Sequence, residues 1–273
     1  MNAPAPAAVL DLPARKVEHL QAILAAHAPL VIAYSGGVDS AYLLAAAHAV
    51  LGERAIAVIA DSASLPRQAL SDALALARHI GAAAEVITTE ELGDERYTSN
   101  PVNRCYYCKA ELFTKLDALA RARGYAAIAY GENADDVRQV RPGRLAAGEF
   151  HILAPLRDAG LTKQEIRALS RGMALPTADA PAQPCLSSRI PHGTPVTVEA
   201  LGMIERGEAF VRGLGFKVFR VRHIPLSHET RARVQIAPEE MAALPPVSER
   251  LIAGLRAVGY DAVEIDPDGY RSP

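Results

Sequence analysis

The chain of 273 residues has no tryptophan and only three cysteines, and its aromatic residues amount to 5%. The missing tryptophan carries no functional information. Cysteine is more telling: an odd count at this density excludes a disulfide framework and makes a reducing cytoplasm the default compartment. An excess of charge of either sign is also lacking. Lys and Arg number 29 against 31 Asp and Glu, a formal charge of −2. No global field therefore draws the chain to a polyanion, and nucleic-acid binding would have to be local. No apolar run reaches the roughly 18–20 residues of a membrane span; the nearest, Leu43 to Leu51, is interrupted by His48. The opening MNAPAPAAVLDLPARK has no basic stretch followed by an apolar one, so it reads as a Pro/Ala tail, not a signal peptide. Repeats and low-complexity tracts are lacking too. Half the residues are apolar and 22% are charged, a balance that supports one large domain, or a domain of about 150–200 residues with a smaller companion.

The first half alternates strand-like and helix-like segments. Pro29–Tyr34, Ala55–Asp61, Glu85–Thr89 and Ala126–Tyr130 read as strands. Ala41–Leu51, Arg67–Ile80 and Lys109–Arg123 read as helices, the last closed by Gly124, and Thr162 with Glu165 forms a capping box for a further one. This alternation predicts an α/β fold with a parallel sheet covered on both faces, in which ligands sit at the carboxyl ends of the strands. Five prolines between Pro176 and Pro195 mark a long ordered loop. Beyond it come a helix (Val198–Gly213), two strands (Phe216–His223, Arg231–Ile236), a helix (Ser248–Val258) and a strand (Asp261–Ile265), a small α+β domain. The expected division is 1–190 and 191–273.

Ser35-Gly36-Gly37-Val38-Asp39-Ser40 lies between a predicted strand and a predicted helix. Adjacent glycines permit a tight turn and bring bare N–H groups toward a phosphate chain, at which the helix also directs its positive end. The serine hydroxyls add donors, and Asp39 can hold Mg²⁺ beside a pyrophosphate. Neither a Walker loop nor a dinucleotide fingerprint is present. The segment resembles the signature of the PP-loop ATP pyrophosphatases, which cleave ATP between the α and β phosphates and adenylate a substrate oxygen. A carboxylate so activated carries a good leaving group for a nitrogen or sulfur nucleophile. Lys163, in Thr162-Lys163-Gln164-Glu165, resembles a second element of that superfamily and implies a cation on the departing pyrophosphate; a solvated lysine in a first helical turn is the plain alternative.

Cys105 and Cys108 form Cys-Tyr-Tyr-Cys just ahead of a predicted helix, and Cys185 follows 77 residues after Cys108. A Cys-x-x-Cys pair at a helix start suits metal ligation, redox chemistry or nucleophilic attack. Zinc would want a fourth ligand, which no second Cys-x-x-Cys or His pair supplies. Three thiolates with one open position suit a [4Fe-4S] cluster whose fourth iron takes an exogenous ligand. A redox dithiol with an unrelated Cys185, or three inert thiols, are the alternatives.

Together, Ser35–Ser40, Asn103–Lys109, Gly131-Glu132-Asn133-Ala134-Asp135-Asp136, Arg141-Pro142-Gly143 and Cys185-Leu186-Ser187-Ser188-Arg189 resemble the LarE family of ATP-dependent sulfur transferases, which build the nickel-pincer nucleotide of lactate racemase. The resemblance implies a PP-loop domain, and ATP and Mg²⁺ held by Ser35, Gly36, Gly37, Asp39, Ser40, Gly131 and Lys163. It implies a pyridinium dicarboxylate mononucleotide as substrate, with each carboxylate adenylated and converted to a thiocarboxylate. Family members either give up the sulfur of the cysteine matching Cys185 or carry all three cysteines and a [4Fe-4S] cluster; this chain, with Cys105, Cys108 and Cys185, resembles the second kind. Strand alternation places Arg220 and Arg222 on one face of one strand, and Arg231 and Arg233 on the next, with Ala232, Val234 and Ile236 toward the core. Such a face could bind phosphate and carboxylates, or be a solvated basic surface. The resemblance points Ser188, Arg189, Glu208, Arg220 and Arg222 toward an anionic nucleotide substrate, near a subunit interface in a homo-oligomer. Three other readings stay open. A tRNA thiolase of the same superfamily is disfavoured by the near-neutral charge. An ammonia-using amidating synthetase would not need cysteines, and a nucleotide-sensing or metal-storing module would bind ATP without turnover.

Overall fold

The computed structural model describes residues 12–138 and 142–270. Arg141 of the quoted Arg-Pro-Gly segment lies outside the described residues, as does the chain before Leu12. The elements run α1 (Leu12–Ala26), β1 (Leu30–Ala33), α2 (Val38–Leu51), β2 (Ala55–Asp61), α3 (Arg67–Ile80), β3 (Ala83–Thr88), α4 (Glu95–Thr98), α5 (Arg104–Arg123) and β4 (Ala127–Tyr130). They continue with α6 (Pro142–Glu149), α7 (Pro155–Asp158), α8 (Lys163–Gly172), α9 (Val198–Gly213), β5 (Phe219–Pro225), β6 (Thr230–Ile236), α10 (Ser248–Val258) and β7 (Ala262–Ile265). They fall into two units. The first holds the described residues up to Ala60, with Leu70–Ile87 and Leu112–Ala180; the second holds Asp61–Ala69, Thr88–Glu111 and the chain from Pro181. No helix among the described residues is long and apolar enough to cross a membrane.

The first unit is the α/β layer that the alternation predicts. Its four-stranded parallel sheet has the order β3-β2-β1-β4. β1 pairs with β2 on one side and β4 on the other, so the chain direction across the sheet reverses at β1. At such a switch point the loops leaving two neighbouring strands diverge and leave a crevice at their carboxyl ends. Leu30, Val31, Ile32, Ala55, Ala57 and Ala129 are fully buried, as strands covered on both faces require. Helix α1 corrects the reading of Leu12 onward as part of a tail: Leu20 and Leu24 are fully buried, which an unpacked tail would not achieve. The capping box at Thr162 and Glu165 is present as predicted.

The second unit contains the sheet β5-β6-β7, with β5 and β6 antiparallel and β6 and β7 parallel. Phe219, Val221, Ala232, Val234 and Ile236 form its core with Leu251, Leu255 and Tyr260. Helices α9 and α10 meet closely because Gly254 has no side chain: a Cβ there would lie 2.1 Å from the Phe210 ring. A second apolar cluster joins Tyr97, Leu186, Ile190, Val196, Leu201 and Ile204, with Tyr107 and Cys108 against it.

Candidate functional site

In the first unit, the loop after β1 is built from local chemistry. Gly36 takes φ +75°, and a Cβ there would press to 2.8 Å on Ala73, so glycine is needed for both conformation and space. Ser40 Oγ donates to the Gly37 carbonyl at 3.1 Å, accepts from Ser35 N at 3.3 Å and lies 3.1 Å from Ser35 Oγ. Helix α2 starts immediately, at Val38, with Gly37 as its N-cap and no side-chain cap. Its first N–H groups are thus left for an outside acceptor at the positive end of the helix.

The loop after β4 comes against it. A Cβ on Gly131 would lie 2.7 Å from Ser40 N and 2.9 Å from Ser40 Cα, so only glycine lets the two loops approach this closely. Asn133 Nδ2 donates to Asp39 Oδ2 at 3.4 Å, and Lys163 Nζ donates to the same oxygen at 2.7 Å. Lys163 N in turn donates to Asp135 Oδ2 at 2.8 Å. Asp39 Oδ1 is buried with no hydrogen-bond partner. An orphaned carboxylate oxygen costs about 1–3 kcal/mol or more when buried, and a hard cation is one of the few groups that satisfies it. The residues therefore fit Mg²⁺ with a polyphosphate: Asp39 for the metal, and Ser35, Gly36, Gly37, Ser40 and Lys163 for the phosphates. Two neighbours had no role from sequence. Asn133 orders the second loop, accepting from Asp135 N at 2.9 Å and Asp136 N at 3.3 Å. Glu132, 3% exposed, pairs with Arg144 and Arg157, each at 2.7 Å.

All three cysteines belong to the second unit. Helix α5 begins at Arg104, five residues before the expected Lys109, so Cys105 sits in its first turn and Cys108 at the start of its second, and neither lies ahead of it. Cys105 is exposed; Cys108 and Cys185 are half-buried. Burial pushes the Cys108 thiol up, and Glu91 and the other two sulfurs push it further. Burial also raises Cys185, partly offset by the positive charges of Arg104 and Arg189. The three sulfurs therefore sense one another, with a carboxylate acting on Cys108 and a guanidinium on Cys185. Glu91 is 2% exposed and neither of its oxygens has a hydrogen-bond partner. Among the described residues, however, no three His, Cys, Asp or Glu side chains stand close enough to hold a metal ion.

The Cys185 loop is held from several sides. Ser64 Oγ, Tyr97 OH and Ser187 Oγ form a buried triangle with sides of 2.6, 2.6 and 2.7 Å. Leu186 N donates to Ser64 O at 2.8 Å, and Arg104 Nη1 donates to Ser187 O at 3.0 Å. Asn100, fully buried at φ +56°, donates to the carbonyls of Pro191 at 2.8 Å and Thr194 at 2.9 Å.

Beside that loop lies the arginine group. Arg189 grips Glu208 through Nε and Nη2 at 2.8 and 2.9 Å, and Glu208 also accepts from Val221 N at 3.2 Å. Arg222 donates to Ser188 O at 2.7 Å and to Gln235 Oε1 at 2.8 Å. Arg220 donates to Ala182 O at 2.9 Å and stacks on Tyr270 with 4.4 Å to the ring centroid. Burial, then the nearby Arg189 charge, holds Arg220 and Arg222 below the usual arginine range. Among the described residues neither has a carboxylate within ion-pair distance, so this face carries a surplus of positive charge suited to an anion. Ser188, Arg189, Glu208, Arg220 and Arg222 are thus brought together. Arg231 and Arg233 share their face by register but pair with Glu229 and Glu264, and their charge is spent on the surface.

The parallel sheet, its reversal at β1 and the loop at its carboxyl edge define an α/β protein of the PP-loop kind. No family model matches the chain. It is 42% identical over 259 residues to an uncharacterized protein of Synechocystis sp., covering 94% of this chain and 95% of that protein. It is 30% identical over 244 residues to the pyridinium-3,5-bisthiocarboxylic acid mononucleotide synthase of Lactiplantibacillus plantarum, covering 89% of this chain and 87% of the synthase. An uncharacterized protein of Methanocaldococcus jannaschii is 26% identical over 245 residues, covering 89% of this chain and 91% of its own length. The chain belongs to the LarE family.

Proposed function

We propose that this chain is an ATP-dependent sulfur transferase that adenylates a carboxylate of a pyridinium dicarboxylate mononucleotide and converts it to a thiocarboxylate. The observation that carries the reading is the buried, unpartnered Asp39 Oδ1 beside the uncapped start of α2, in a chain that aligns over 89% of its length with a bisthiocarboxylic acid mononucleotide synthase. Bound Mg²⁺ supplies charge neutralisation to the phosphates. Asp39 holds the metal, the Ser35–Gly37 loop and the first N–H groups of α2 hold the phosphates, and Lys163 turns from Asp39 to the departing pyrophosphate. The Arg189, Arg220 and Arg222 group binds the anionic nucleotide, and Cys105, Cys108 and Cys185 handle sulfur. The cytoplasm and a homo-oligomeric state belong to the same reading. Incubation with ATP and the dicarboxylate mononucleotide should yield AMP and pyrophosphate in step with thiocarboxylate, read by mass spectrometry; ADP and phosphate as products would refute it.

The sulfur source has two versions. In the first, a [4Fe-4S] cluster would be held by Cys105, Cys108 and Cys185 as thiolates and would supply the sulfide. In the second, Cys185 gives up its own sulfur, which needs its thiolate: burial raises that thiol, and the Arg104 and Arg189 charges act against the rise. Iron and sulfide analysis after anaerobic purification separates the versions: about four irons per chain supports the cluster, and iron-free turnover with H₂S lost from Cys185 supports donation.

A further inference from the structure

Arg104 opens helix α5, one residue before Cys105, and is 4% exposed. A guanidinium has five N–H donors in a fixed planar fork. Arg104 uses one nitrogen only: Nη1 donates to the Asn100 side-chain oxygen and to Ser187 O at 3.0 Å. Among the described residues Nε and Nη2 have no hydrogen-bond partner, and no carboxylate lies within ion-pair distance. Neither nitrogen is sealed from solvent, so this largely buried guanidinium presents an open edge, with no counter-charge beside it, that an anion can fill during function. The neighbouring arginine shows what fits. Arg189 presents the same Nε/Nη2 edge to Glu208, which fills it with two parallel bonds at 2.8 and 2.9 Å. That edge matches a planar carboxylate, not a spherical anion. The free edge of Arg104 is also close enough to Cys185 for its charge to act on the sulfur, and the two carbonyl-type acceptors on Nη1 fix its orientation.

We propose that Arg104 is a carboxylate subsite of the cysteine-bearing unit, binding a carboxylate of the acceptor bidentately through Nε and Nη2 next to Cys185. This inference rests on the sulfur-transfer reading and names the group that presents the acceptor to the sulfur. The Asn100 side chain and the Ser187 carbonyl are positioning groups that aim the fork. In the relative's product, a bisthiocarboxylic acid, two acid groups are borne on one ring, so one can be anchored while the other reacts.

The probe is pyridine-3,5-dicarboxylate, with the neutral pyridine-3,5-dicarboxamide as its isostere. The readout is protection of Cys185 in the full chain from iodoacetamide, followed residue by residue by mass spectrometry. The dicarboxylate should protect the wild-type chain and the diamide should not. In Arg104→Gln the concentration for half-protection should rise about tenfold or more, with Arg104→Lys between the two, since it keeps the charge and loses the fork. Equal protection in Arg104→Gln overturns the subsite and leaves the sulfur-transfer reading standing. Equal protection of wild type by the diamide also overturns it, and needs no variant to fold. If the dicarboxylate fails to protect wild type, the subsite falls, and AMP formation with the mononucleotide decides whether the functional reading falls with it.

Discussion

Gly131→Ala puts one methyl group where the loops after β1 and β4 meet. The added Cβ would lie 2.7 Å from Ser40 N, 2.9 Å from Ser40 Cα and 3.0 Å from the Asp39 carbonyl carbon, all backbone atoms that no rotamer change can move aside. Ordinary contact begins at 3.4 Å, so the loops must part by about 0.7 Å. Forced expansion of this kind costs about 1–3 kcal/mol. The displaced atoms are the Ser40 N–H and the backbone of Asp39, so MgATP affinity should fall at least about tenfold. Gly148→Ala is the matched control in the same unit: nothing lies within 4 Å of its Cβ position and its φ is not positive. It should stabilise by about 0.5–1 kcal/mol and leave nucleotide affinity unchanged. Urea unfolding gives the first quantity and titration calorimetry the second. Wild-type stability together with wild-type MgATP affinity in Gly131→Ala would refute the assignment of these two loops to one nucleotide site.

Asp39→Asn is nearly isosteric; it should fold normally and lose the Mg²⁺ dependence of ATP binding, measured by calorimetry with and without the metal. Arg189→Met leaves Glu208 buried and unpaired, so urea unfolding should show a loss of about 3–5 kcal/mol, larger than that of Glu208→Gln. Burial holds His223 below its ordinary 6.5, so the unfolded chain takes up that proton first. Stability should therefore decline as pH falls below 6.5 and level out only beneath the folded value. His223→Gln should flatten this slope in urea midpoints recorded between about pH 5 and 8. Gly254→Ala should destabilise by about 1–3 kcal/mol, because its Cβ would meet the Phe210 ring at 2.1 Å.

What was legible in the sequence was local. The turn after β1 could be read because its glycines, serines and aspartate act within six consecutive residues, and the capping box at Thr162 because its partners are three residues apart. Strand alternation likewise put Ala232, Val234 and Ile236 in the core, where they are fully buried. Other features join distant residues and leave no pattern in the chain. The hydroxyls of Ser64, Tyr97 and Ser187 are separated by 33, 90 and 123 positions. The early start of α5 is secured by the burial of Arg104 and its bond to Ser187, contacts that helix propensity does not reveal. Arg231 and Arg233 could not be told from Arg220 and Arg222 by spacing, since Glu264, which neutralises the former pair, lies on β7.

Activation by ATP and delivery of sulfur should rest on different residues of this chain. A triple Cys105→Ala, Cys108→Ala, Cys185→Ala variant, incubated anaerobically with MgATP and the dicarboxylate mononucleotide, tests it directly by separate quantification of AMP and thiocarboxylate. AMP should still form and thiocarboxylate should not. Thiocarboxylate at the wild-type level in that variant would show that the three cysteines do not deliver the sulfur.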